Sequence, residues 1–124
     1  MRKQLVRKAL NDIRLNPKTW EQRAWHCGTA SCLAGHIALV AGWRWEHPDG
    51  TDDMMVSPNG ERERASIVAA SIVWGISLAE GKKRYAERGR LPAEFMSPNT
   101  LDVIERLLVK RELLSEEVLF DGAA

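Results

Sequence analysis

Cys27, Cys32 and His36 are the residues of this chain whose types and spacing best suit chemistry. Cys32 and His36 stand four apart, so on a helix they share a face, which suits two ligands of one metal ion. Cys27 folding back from the preceding loop would complete a Cys-x4-Cys-x3-His set. Structural zinc takes four protein ligands, and the fourth would have to be His26, His47 or a carboxylate. A second chemistry is a thiol nucleophile, since a helix N-terminus stabilises the thiolate. No histidine follows His47 to act as a distant base, and His36, one turn along from Cys32, reaches the thiol poorly. The third reading needs no chemistry. Free cysteine is among the most buried residue types, and both thiols serve as small core residues. This third reading is the expectation: reduced thiols, no cofactor, no enzyme.

Two other segments offer binding chemistry. Lys82-Lys83-Arg84-Tyr85-Ala86-Glu87-Arg88-Gly89-Arg90 holds five basic residues and one aromatic in nine positions. Lys82, Lys83, Arg84, Arg88 and Arg90 could hold phosphates while Tyr85 stacks on a base, or the run could be a solvated linker. Trp43, Trp45, Met54 and Met55 flank a polar turn. On a strand Trp43 and Trp45 share one face, which either roofs the core or presents two aromatics to a protein partner. Asp49, Asp52 and Asp53 beside Gly50 lack the distal glutamate of a calcium loop and read as a polar turn.

The elements that must position these residues are mostly helices. Leu5, Val6, Ala9, Leu10 and Ile13 recur at helical spacing over about Lys3 to Leu15, and Asn16-Pro17 stops that helix. Thr19-Trp20-Glu21-Gln22 has the form of a capping box for a short turn ending near Trp25. A small-residue helix over about Ala30 to Ala41 is the candidate for the central, buried one. A short β-hairpin is expected near residues 43–57, with Pro58-Asn59-Gly60 as a further turn. A nearly apolar helix follows from about Glu61 to Gly75, and Ser77-Leu78-Ala79-Glu80 caps the next. Gly89 to Pro98 reads as a loop. Asn99 or Thr100 caps a last long helix with Leu101, Ile104, Leu107 and Leu108 as its stripe, and Ser115 a final turn with Val118, Leu119 and Phe120.

The 124 residues are 44% hydrophobic and 28% charged, the composition of one ordinary globular domain spanning residues 1–124. The net charge of +1 gives no global attraction to nucleic acid. No apolar stretch approaches the length of a membrane span and the basic N-terminus lacks a following apolar run, so a cytoplasmic protein is expected. Of five tryptophans, Trp20, Trp25, Trp43, Trp45 and Trp74, about three are expected in the core.

Trp25-His26-Cys27-Gly28-Thr29-Ala30-Ser31-Cys32-Leu33-Ala34-Gly35 resembles a signature of small actinobacterial and mycobacteriophage proteins. Theirs is a Trp-x-Cys-Gly-Thr-x-x-Cys-x-Ala-Gly run after a first helix stopped by Asn-Pro or His-Pro. The similarity extends to Pro58-Asn59-Gly60 and to Asn99-Thr100-Leu101, while the basic stretch Gly81 to Arg90 departs from it. The family has no established activity, so the resemblance implies an origin and not a mechanism. The expectation is a mainly α domain of four to six helices with one hairpin. It is non-enzymatic and phage-related, and binds a host protein. Nucleic-acid binding through residues 82–90 is the alternative, and a zinc or thiol function of Cys27, Cys32 and His36 the third. The sequence leaves a homo-oligomer open.

Overall fold

The computed structural model describes residues 2–20, 32–92, 95 and 101–113, with only the backbone of residue 101. The fold is mainly helical with one small antiparallel sheet. Helix α1 spans Arg2–Leu15 and buries Val6, Ala9, Leu10 and Ile13, the stripe its periodicity predicts. Asn16 ends it, and Pro17–Thr19 form a single 3-10 turn. Thr19 lies inside that turn with its hydroxyl 2.7 Å from the Asn16 carbonyl, so it does not open a helix. Glu21, Gln22 and Trp25 lie outside the described residues, as do Cys27, Ala30 and Ser31.

Helix α2, Leu33–Val40, is shorter than the predicted span because Cys32, in extended backbone, is its cap residue. Every residue from Leu33 to Ala38 is buried, as expected of the central helix. Strands β1 (Arg44–Trp45) and β2 (Met54–Val56) form the expected hairpin, with Trp45 opposite Met55. A third strand, β3 (Arg62–Arg64), replaces the first turn of the helix predicted from Glu61. The reason is local. Ser57 accepts the N–H groups of Asn59 and Glu61 on its hydroxyl, closing a tight turn that lays Arg62–Arg64 along β2. Arg62, Glu63 and Arg64 offer no apolar face, so helix α3 (Ala65–Trp74) begins only at Ala65.

Helix α3 is buried over nearly all its length and ends in a Schellman turn. Gly75 takes φ +73°, its N–H reaches the Ile72 carbonyl, and the Ile76 N–H reaches Ser71. The Arg2 guanidinium donates to the carbonyls of Ile72 and Val73, tying α1 to this helix end. Helix α4, Leu78–Arg88, is capped as predicted, Ser77 Oγ accepting the Glu80 N–H at 3.2 Å. Helix α5, Leu101–Lys110, buries Ile104 and Leu108. It also buries Glu105, which forms an ion pair with Arg14 of α1. The last predicted turn, with Ser115, Val118, Leu119 and Phe120, lies outside the described residues, as do Met96, Asn99 and Thr100.

Two apolar clusters hold these elements. The larger joins α1, α2, α3 and α5 with Phe95 of the segment before α5. The smaller joins Ala38, Met55, Ala65 and Val68 under the sheet. The four described tryptophans edge the clusters and none is fully buried. Trp20 and Trp74 pack on the larger, Trp43 and Trp45 on the smaller.

Helices α3 and α4 meet where Gly81 faces Ser71. A Cβ on Gly81 would overlap Ser71 Oγ and lie 3.0 Å from Ser71 Cβ. Ser71 Oγ is itself buried and donates to the Ile67 carbonyl at 2.8 Å. Gly81→Ala is expected to cost about 1–3 kcal/mol by overpacking. Adding Ser71→Ala should recover part of that loss, because the overlapping oxygen is gone. Urea unfolding of the two single variants and the double variant measures this. Strictly additive losses would place the strain elsewhere.

Candidate functional site

The Cys32–His36 pair is built into the core. Cys32 is 1% exposed and His36 6%. His36 Nδ1 lies 3.0 Å from the Cys32 carbonyl, which only accepts, so Nδ1 donates to it. Nε2 faces Thr19 Oγ1 of the 3-10 turn at 3.2 Å. Thr19 Oγ1 in turn lies 2.7 Å from the Asn16 carbonyl. His36 thus pins the 3-10 turn to the start of α2, and what it holds at Cys32 is the carbonyl. Among the described residues no three His, Cys, Asp or Glu side chains gather as a metal site. Cys27 lies outside them.

Burial pushes the Cys32 thiol from 9.0 up to about 11, outweighing the N–H groups of Gly35 and Ala34 at the helix start, which favour the thiolate. The nucleophile reading needs the opposite direction. A raised pKa means that the folded state holds this proton more tightly than the unfolded state. The resulting stability is complete below about pH 9 and is lost as pH rises toward 11. Cys32 should therefore resist a thiol reagent at pH 8 until denaturant is added. Stability should fall between pH 9 and 11 in the wild type more than in Cys32→Ala. Rapid labelling of native protein in a Cys27→Ser background would contradict the burial.

The hairpin aromatics face inward. Trp45 and Met55 are paired across β1 and β2, and both pack with Trp43 on Ala38, Ala65 and Val68. Met55 is fully buried, which removes it from the proposed partner anchors. Met54 is half-buried on the opposite face, with Arg64 as its cross-strand partner. The sheet's other side closes with polar groups. Arg62 holds the Glu46 carboxylate in a two-point pair, which keeps Glu46 below the usual carboxylate range. His47 bonds Asp52 at 2.7 Å. A shallow apolar hollow of about 370 Å³ remains between Leu39, Arg44, Trp45, Pro48 and Val56.

The basic run from Lys82 splits between two faces of α4. Lys82 turns to Glu63 of β3 at 3.6 Å, and half-buried Tyr85 lines neither of the hollows below. Arg84 and Arg88 point the other way, into a groove of about 510 Å³. Arg90, Leu91 and Pro92 form one wall of it and Arg111 another. Trp74, at the end of α3, supplies the aromatic surface, and Arg84 Cζ sits over its ring, 4.4 Å from the centroid. Arg111 is placed by a second Schellman turn, in which Glu112 takes φ +62° and Leu113 N–H reaches back to Leu108.

Arg84, Arg88 and Arg90 of the predicted nucleic-acid set therefore converge, while Lys82 and Tyr85 do not join them. Trp74 and Arg111 were missed. The Gly75 stop followed by the Ser77 cap signals a helical hairpin, which brings the end of α3 beside α4 and could have pointed to Trp74. Nothing in the sequence links Arg111 to this place. Comparison with known proteins finds no matching family model, no matching curated protein and no matching solved structure. Among the described residues no helix is long and apolar enough to cross a membrane.

Proposed function

We propose that this chain is a non-enzymatic accessory protein that binds nucleic acid through the arginine groove. One observation carries the reading. Among the described residues of its lining, four guanidinium groups, from α4, the segment after it and the end of α5, stand around one indole, and none of those residues is a carboxylate. Arginine forks match phosphate oxygens two at a time. The rest of the lining is Trp74, Leu91 and Pro92, which offer flat apolar surface and no acceptor side chain to read a base edge. Such a site holds a repeating phosphate backbone and tolerates many sequences.

A host protein as partner is the second reading, favoured by the apolar hollow beside Leu39, Trp45 and Val56. It matches the accessory role suggested by resemblance to small mycobacteriophage proteins. The full burial of Met55 weakens it, because that side chain is already used within the fold.

Fluorescence anisotropy with a labelled mixed-sequence single strand tests the first reading. If all four arginines neutralise phosphates, log affinity should fall with log salt at a slope of about −3. The double variant Arg88→Ala/Arg90→Ala should lower affinity at least about tenfold and flatten the slope by about 1.4. Unchanged affinity and slope in that variant would overturn the reading.

A further inference from the structure

The geometry points to a single strand as the ligand of the arginine groove, one base resting on the Arg84 guanidinium that Trp74 supports from beneath. This rests on the nucleic-acid reading and narrows it. The groove does not end at Arg84 and Arg88. Both residues also line a second hollow of about 340 Å³, whose other walls are Ile76, Glu80, Lys83 and Glu87. Arg84 and Arg88 thus line both hollows, Arg90 and Arg111 belonging to the first and Lys83 to the second.

Glu80 and Glu87 line the second hollow beside Lys83, and Lys82 on the far side of the helix is engaged by Glu63. Arg84 adds what a single strand uses and a duplex hides. Its guanidinium has one side over the Trp74 ring, so contact with the indole restrains it. Unpaired bases stack on arginine planes as well as on aromatic rings, and bases within a duplex are already stacked on one another. Trp74 acts through Arg84 and is a positioning residue, because its inner surface packs on the larger core cluster.

Arg84→Lys separates this from simple charge attraction, since it keeps the charge and loses the plane. A fluorescein-labelled 20-nucleotide single strand, the matching duplex and polyglutamate are the probes. The wild type is expected to prefer the single strand over the duplex by about tenfold, the size of one stacked base. Arg84→Lys should lose most of that preference while its salt slope stays unchanged. Trp74→Leu should lose it as well, provided that its melting curve shows a folded protein. If Arg84→Lys retains the full preference while Arg88→Ala/Arg90→Ala binds weakly, the stacking inference falls and the groove reading survives. Equal affinity for duplex and single strand in the wild type has the same meaning. If polyglutamate binds and neither nucleic acid does, the groove serves an acidic protein segment, and both the reading and the inference fall.

Discussion

A Cβ on Gly81 would lie 3.0 Å from the Cβ of Ser71, and the arginine groove depends on that close approach of α4 to α3. A glycine on α4 and a serine on α3 let the two helices lie closer than any larger pair would allow. The closeness keeps Arg84, one turn beyond Gly81, within reach of Trp74 at the end of α3. There the guanidinium groups of Arg84 and Arg88 line the same groove as Arg111. Helix α3 in turn is anchored at that end by its Gly75 turn and by the Arg2 guanidinium on its last carbonyls. The groove is therefore a property of how three helix ends meet, and α4 alone would present only a charged helix.

The same contact explains why a nearly neutral protein can carry a basic site. Arg62 is held by Glu46, Lys82 by Glu63 and Arg14 by Glu105, while Arg84, Arg88, Arg90 and Arg111 gather beside Trp74. Net charge reports the sum of these arrangements and not their separation in space.

Much of the fold was legible in the sequence because local signals agreed with the burial that followed. The apolar stripe of α1, the small residues of α2, the Gly75 stop and the Ser77 cap each act within a few residues. Strand β3 was not legible, since Arg62-Glu63-Arg64 has no alternation and owes its form to the turn closed by Ser57. Glu105 lies outside the apolar stripe read for the last helix. It is buried because Arg14, ninety-one positions away, meets it. The candidate site divides the same way. The basic run stood out by composition, but which members share a face depends on α4 packing against both α3 and β3. Arg84 and Arg88 go one way and Lys82 the other. Cys32 and His36 stood out by type and spacing, and burial made them structural.

The most direct test of the groove is a heteronuclear NMR titration of the intact protein with an unlabelled single strand, following side-chain N–H signals. The Arg84, Arg88, Arg90 and Arg111 Nε–H signals and the Trp74 indole N–H should shift together along one binding curve. The Trp43 and Trp45 indole signals should stay in place, since neither ring lines the groove. Shifts confined to Trp43, Trp45 and their neighbours, with the arginine signals unmoved, would contradict the account.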